Sequence, residues 1–358
     1  MLKVNYLTGI CPREHDGIAR YQYTLKGTLV KQGVYFNAIC YRPVNNIALK
    51  FFYRYVFYPY MVKKKISFQG INHITSQEYA YLIRKLQSTT IVTVHDVIFY
   101  LYRNNLDILR RLDSNFYLNC LKKAKHIIAV SNNTKKDLIK YADCEPNNIT
   151  VIHNGVNQKT YYPKKTSKKP KFFRDEYKNI LYVGSGRPRK NLDMLIRTLR
   201  KIIRKDTRVK LIIAGQISEQ DKKRLDTVVE TLKLRKYIIF AGPVNEEELP
   251  IFYTSADVFV FPSLYEGFGL PVLEAMACGC PVITSNTSSL PEVIGDAGIM
   301  VNPTNDIELG NAITDVLSDD DLRKNLAKKA LRRAKYFSWE KTAEETYKLY
   351  KRVMEEEG

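Results

Sequence analysis

What the chain lacks narrows its reading before any motif does. No apolar run approaches the roughly 20 residues that a membrane-crossing helix needs. The N-terminus, Met1 to Leu7, runs straight into a strand-like pattern and shows no signal peptide. Cysteines are few and scattered, at positions 11, 40, 120, 144, 278 and 280. That spacing suits neither a disulfide framework nor a set of zinc ligands, and Cys278-Gly279-Cys280 has no second pair to complete a metal site. The expectation is a cytoplasmic protein with reduced, buried thiols. Acidic residues are scarce in one part of the chain only. Residues 1–165 hold 25 Lys and Arg against 9 Asp and Glu, so this part carries +16 of the net +20. Such a surface suggests an anionic partner: a membrane, a phosphorylated lipid or a nucleic acid. No helix-turn-helix, zinc or RNP-type signature is present, so nucleic acid is not expected. No Asp-x-Asp metal motif stands in a suitable loop.

What is present is a globular composition, 45% hydrophobic and 26% charged over 358 residues, enough for two domains. Both halves alternate short apolar runs with helical stretches. In the first half the runs are Val4–Leu7, Thr89–Val94, His126–Val130 and Thr150–Val156, with a helix over Ile18–Lys31 and another capped by Ser131. In the second they are Asn179–Gly184, Lys210–Gly215, Ile238–Phe240, Val258–Phe261, Val282–Thr284 and Gly298–Val301. Apolar runs of this length between helices imply parallel strands covered on both faces. The Pro- and Lys-rich stretch Tyr161–Lys171 reads as a linker. The expected organisation is an N-terminal domain over 1–165, a C-terminal domain over 166–340, and a last helix over 341–358 that returns to the first domain. Ligands of doubly wound folds bind beyond the C-terminal ends of the strands.

The most informative stretch is Glu266-Gly267-Phe268-Gly269-Leu270-Pro271-Val272-Leu273-Glu274, after the strand Val258–Phe261. Its glycines let backbone N–H groups approach a ligand. Pro271 suits the first turn of a helix, and the helix N-terminus favours an anion. One carboxylate is expected in the loop and the other in the first helical turn, both able to accept hydroxyl hydrogen bonds. A sugar nucleotide suits that chemistry, although acidic residues near helix starts also occur for the dipole alone. A second segment, Gly184-Ser185-Gly186-Arg187-Pro188-Arg189-Lys190-Asn191, follows a strand and precedes a helix. Its cations can neutralise a diphosphate, or can simply form a solvated basic turn.

The first of these strings, with its tail Ala275–Ile283, resembles the E-x7-E signature of the retaining glycosyltransferases of family GT4. The resemblance covers most of the chain and is strongest from about 180 to 300. It implies the α/β GT-B fold, two doubly wound Rossmann-like domains with parallel sheets facing across a cleft, and a hexosyltransferase using a nucleoside diphosphate sugar with retention and without a metal or other cofactor. It also implies the site. Lys190, with Arg189 or Arg187, would hold the donor diphosphate beside Gly184 and Ser185; Ser185 stands where many members carry an arginine. Glu266 and the backbone of Gly267, Phe268, Gly269 and Leu270 would face the sugar and phosphate, and Glu274 would hold the ribose. Thr93-Val94-His95-Asp96 is similar to the family's His-Asp, which gives His95 a catalytic or positioning role at the hexose. Gly17 occupies the place of a loop that covers the donor phosphates, and Arg20 and His73 are candidates for the acceptor.

The aromatic and then basic segment Phe51–Lys65 reads either as a buried helix or as a contact with a membrane surface. With the basic first half, it raises the expectation of an anionic or lipid-linked glycan acceptor and of peripheral association with the cytoplasmic face of a membrane. Two alternatives stay open from sequence: another GT-B enzyme such as a sugar-nucleotide epimerase, and a basic nucleic-acid-binding protein.

Overall fold

The computed structural model describes residues 2–11, 17–44, 46–66, 70–86, 89–105, 107–164, 169–204 and 206–357. The chain divides into two units, Met1–Gly155 with Trp339–Gly358, and Val156–Ser338. Linker composition places the boundary at 165/166, but Tyr161 is buried on Tyr253, and the Lys164 N–H donates to Thr254 Oγ1 at 3.1 Å. The start of the expected linker is therefore packed into the second unit; residues 165–168 of it lie outside the described residues.

The first unit is built on strands β1 (Lys3–Ile10), β2 (Tyr35–Tyr41), β3 (Ile71–Ile74), β4 (Thr90–Val94), β5 (His126–Ala129) and β6 (Ile149–Val151), in the order β2-β1-β3-β4-β5-β6. Every described pairing is parallel. β3 and β4 are buried along their whole length, as strands covered on both faces must be. Helix Gly17–Lys31 lays Tyr21, Leu25 and Leu29 against this sheet, a stripe repeating every four residues. The last helix, Trp339–Glu357, packs Trp339, Ala343, Tyr350 and Val353 into the same core. The run expected over 150–156 is shorter as a strand, because the ladder ends at Val151 and Val156 bridges Ser338 instead.

The second unit holds β7 (Lys178–Val183), β8 (Val209–Ala214), β9 (Ile238–Gly242), β10 (Val258–Phe261), β11 (Val282–Ser285) and β12 (Ile299–Val301), in the order β12-β11-β10-β7-β8-β9, again parallel. In each sheet the chain builds outward on one side and then crosses to the other. The crossing places a crevice between β1 and β3 in the first sheet and between β7 and β10 in the second.

One expectation about cysteine is overturned. Cys11 and Cys40 form a disulfide, with Cα atoms 5.0 Å apart. β1 and β2 are neighbouring parallel strands whose register slips at Gly9, which brings the end of β1 beside Cys40. Cys120, Cys144, Cys278 and Cys280 are free and buried, and burial raises the pKa of each thiol. Gly9 itself has φ +72°, and a Cβ there would lie 2.0 Å from the Tyr79 ring, so no side chain fits at this bulge.

Candidate functional site

At the crevice of the second sheet, the turn after β7 meets the loop after β10. Pro188–Lys190 form one turn of 3-10 helix, closed by Asn191 at φ 59°. Asn191 anchors the turn by donating through Nδ2 to Pro262 O at 3.0 Å and Pro303 O at 2.7 Å. Lys190 Nζ and Arg189 Nη1 then converge on one oxygen, Glu266 Oε1, at 2.6 and 3.2 Å. Ser263 Oγ donates to the same oxygen at 2.6 Å. The buried Nε of Arg189 has no hydrogen-bond partner among the described residues. Burial pushes the Glu266 pKa up, but Lys190 and Arg189 outweigh it and hold the carboxyl below its ordinary value. Burial lowers the Lys190 pKa, and Glu266 offsets this only in part because Arg189 and Arg187 oppose it. The cluster thus contains more cation than anion. The unmatched Arg189 Nε and the surplus of cation suit an anionic ligand such as a phosphate group.

The loop beyond Glu266 is fixed by its neighbours. Ser289 Oγ lies 3.0 Å from Glu266 O and 2.8 Å from Phe268 O, and the Glu266 N–H donates to Ser288 Oγ at 3.0 Å. Phe268 is buried against Phe337. Gly269, at φ +109°, opens helix Leu270–Ala277, and a Cβ there would meet Leu290 at 2.8 Å. Glu274 departs from its expected place. The helix begins at Leu270, so Glu274 falls in the second turn, where it is buried and accepts from Tyr253 Oη at 3.0 Å. Gly184 and Ser185 follow β7 directly, and Arg187 is exposed. Sequence reasoning missed Arg224, whose guanidinium bonds Gly186 O and Asp193 and so pins the loop after β7. It also missed Tyr253. Neither residue lies in a motif; both reach the site from other helices.

In the first unit, His95 follows β4 and is buried edge-on against Tyr21, with ring centroids 4.8 Å apart. Its Nε2 is 3.0 Å from Thr75 O. A carbonyl only accepts, so Nε2 carries a proton in this contact. Asp96 Oδ1 accepts from the Ile98 N–H at 2.9 Å and shapes the following turn. His73 is not at a ligand-facing strand end. It is fully buried, with Nδ1 2.6 Å from Tyr350 Oη and Nε2 2.7 Å from Thr93 Oγ1. Burial, with His95 nearby, lowers its pKa to about 3. Strand position alone did not reveal that the last helix covers it, which takes His73 out of the acceptor candidates. Arg20 is half-buried on helix Gly17–Lys31, whose first residue, Gly17, is exposed; Asp16 lies outside the described residues.

The crevice of the first sheet contains a cavity of about 490 Å³, lined among others by Thr8, Gln22, Lys50, Arg54, Glu78 and Tyr79. None of these was a candidate from sequence. Arg54 is committed to Asp113 at 3.0 Å and Glu78 at 3.8 Å. Its Nε, and the buried Oγ1 of Thr8, have no partner among the described residues.

Two doubly wound parallel sheets of this kind define the GT-B glycosyltransferase fold, and sucrose-phosphate synthase from Thermosynechococcus elongatus superposes with a TM-score of 0.82 over 99% of both chains at 22% identity. Residues 15–159 match the family described as Glycosyltransferase Family 4, and residues 163–333 match Glycosyl transferases group 1. O-antigen chain mannosyltransferase B of Escherichia coli is 33% identical over 280 residues, covering 76% of this chain and 72% of that protein. The serotype-specific mannosyltransferase WbdA of Escherichia coli is 30% identical over 249 residues, covering 67% of this chain but 31% of its own greater length. The chain belongs to the family 4, group 1 glycosyltransferases, and is an enzyme of the hexosyltransferase class.

Proposed function

We propose that the chain transfers a hexosyl group, with mannose the first candidate, from a nucleoside diphosphate sugar to a glycan or lipid-linked glycan at the cytoplasmic face of a membrane. The observation that carries this reading is the convergence of Lys190 and Arg189 on one oxygen of the buried Glu266. The relatives named as mannosyltransferases support the choice of sugar.

Lys190, Arg189 and the exposed Arg187 would stabilise the charge that develops on the leaving diphosphate. Gly184 and Ser185 would admit it to the backbone, together with the N–H groups of Gly267, Phe268, Gly269 and Leu270 at the helix start. Glu266 Oε2 would accept from a hexose hydroxyl, as would Nδ1 of His95, and Glu274 would hold the ribose. Gly17 and Arg20 retain supporting roles in phosphate and acceptor contact. In the transfer, the bond from the anomeric carbon to the diphosphate breaks as the acceptor oxygen bonds that carbon from the same face. The acceptor proton passes to the departing phosphate oxygen, and configuration is retained. With the counter-charge supplied by side chains, transfer should continue in EDTA.

Incubation with GDP-mannose and other sugar nucleotides, read by mass spectrometry of the acceptor and by thermal shift, tests the reading. Donor binding and product formation are expected. Failure to bind any sugar nucleotide overturns the function, and undiminished transfer by Lys190→Ala overturns the site.

A further inference from the structure

We propose that Tyr21 is a positioning residue for His95 in the proposed transfer, and that the last helix holds Tyr21 in place through His73 and Thr93. This role rests on the hexose contact proposed for His95, but the contacts that build it are independent of that reading.

His95 follows β4 and is held at several points. Its backbone N–H donates to Gln77 Oε1 at 3.1 Å, and its Nε2 donates to Thr75 O at 3.0 Å. Thr75 is itself fixed, because Gln22 Nε2 donates to its Oγ1 at 2.7 Å. An imidazole held by one ring hydrogen bond can still rock about it. The Tyr21 ring limits that freedom, meeting the imidazole at an interplanar angle of 83°. Tyr21 and Gln22 are consecutive residues of helix Gly17–Lys31, so one turn of that helix bears on His95 by two routes. Rate responds steeply to such a tilt, since a reacting group displaced by about 1 Å can lose about a hundredfold.

Tyr21 is in turn one end of a buried relay. Its Oη lies 2.9 Å from Thr93 Oγ1, Thr93 Oγ1 lies 2.7 Å from His73 Nε2, and His73 Nδ1 lies 2.6 Å from Tyr350 Oη. All four side chains are fully buried, which shields these bonds from bulk water. Burial raises the pKa of both tyrosines and lowers that of His73 to about 3, so every member is neutral at pH 7. A neutral imidazole has one donor and one acceptor nitrogen. If Tyr350 donates to Nδ1, then Nε2–H donates to Thr93. If Nδ1 donates to Tyr350, then Nε2 accepts from Thr93, and Thr93 accepts from Tyr21. The hydroxyl of Tyr350 is thus linked to that of Tyr21. The last helix also touches Tyr21 directly through Trp339, with ring centroids 6.1 Å apart, about three turns before Tyr350. His95, at 8% exposed, is the most exposed member of this group, and it stands at the C-terminal end of its strand, where ligands of such sheets bind. The relay therefore ends on the ring that backs the group offered to a ligand.

Two substitutions at Thr93 separate positioning from support of the fold. Thr93→Val keeps the shape and removes the hydroxyl; Thr93→Ser keeps the hydroxyl and loses the methyl. With the sugar nucleotide that turns over, GDP-mannose first, Thr93→Val should lower kcat about tenfold with donor KM nearly unchanged. Thr93→Ser should keep kcat within about twofold although it unfolds at lower urea concentration. Tyr21→Phe and Tyr350→Phe should each behave like Thr93→Val. In a His95→Ala background all three losses should vanish, since they act through the imidazole. The ring nitrogen signals of His95 in the isotope-labelled full chain, assigned by their loss in His95→Ala, should move in Tyr350→Phe. Losses that add in the double variants, activity that tracks stability across the set, or unmoved His95 signals overturn the proposal. Failure of the wild type to bind or use any sugar nucleotide would instead count against the transferase reading, and the His95 signals would still decide the positioning.

Discussion

The two sheets use equivalent crevices in different ways. Between β7 and β10, one carboxylate and two cations are locked together, with side chains between 9% and 17% exposed. Between β1 and β3 the crevice holds a cavity of about 490 Å³, where Thr8 Oγ1 and Arg54 Nε have no partner among the described residues. On the proposed reading, the difference follows from what each ligand would demand. A diphosphate leaving group always brings the same charge, and fixed cations stabilise it without reorganising during the reaction. A glycan is mostly neutral and offers many hydroxyls. Each net hydrogen bond to it contributes only about 1 kcal/mol, so shape and room matter more than charge. Changes in the second unit should therefore act on rate, and changes at the cavity on acceptor affinity.

The strongest attempt to break this contrast is at Lys190. Lys190→Ala should lower kcat/KM by about a thousandfold, equivalent to about 4 kcal/mol, with acceptor KM nearly unchanged. Glu266→Ala should be equally inactive and less stable by about 3 kcal/mol, since it leaves Lys190 and Arg189 without their counter-ion. Initial rates and urea unfolding check both. A large rise in acceptor KM with kcat intact would mean that the ion cluster does not serve the donor.

The same contrast explains how much could be read in advance. The site in the second unit comes from two short loops, 184–191 and 263–274, at the ends of neighbouring strands. Two contiguous strings and the family resemblance they carry named Glu266, Lys190 and Arg189 or Arg187 as candidates, and in the structure Lys190 and Arg189 meet at Glu266. Glu274 was expected in the first helical turn, but the helix starts at Leu270, so Glu274 is its fifth residue and falls in the second. The cavity draws on four separate segments, 8–11, 18–22, 41–54 and 76–79, with three to five residues from each, and no motif unites them. His73 was misread for a related reason: its covering partner, Tyr350, lies 277 positions away in the chain. The Cys11–Cys40 bond depends on a strand pairing and a bulge that cysteine spacing does not encode. Sequence reveals sites built from contiguous loops, and conceals those assembled by the sheet.

Acid should separate the units. His73 has a folded pKa of about 3 against an ordinary 6.5, so the unfolded chain binds the extra proton between those values. Stability from this residue is complete above 6.5 and is lost as pH falls, at about 1.4 kcal/mol per unit. Glu266, with its lowered pKa, contributes above its ordinary 4.5 and loses that contribution only below it. Hydrogen exchange at pH 7 and pH 5 should show β3 and β4 losing protection before β7 and β10. His73→Gln should flatten the pH slope of unfolding. Parallel loss in both units, or an unchanged slope in the variant, would remove His73 as the cause.

Two conservative changes probe the contrast at its fine scale. Tyr253→Phe removes the hydroxyl that donates to Glu274 at 3.0 Å in a buried site. A net loss of about 1 kcal/mol should raise donor KM about fivefold and leave acceptor KM alone. Thr8→Val is smaller still. Its Oγ1 has no partner among the described residues, so its loss breaks no described hydrogen bond and stability should hold within about 0.5 kcal/mol. If a glycan hydroxyl pairs with Oγ1 in the cavity, acceptor KM should rise about threefold with donor KM fixed. A Thr8→Val enzyme with unchanged acceptor KM would mean that the glycan does not reach the end of β1, and the cavity would then have to serve another part of the acceptor.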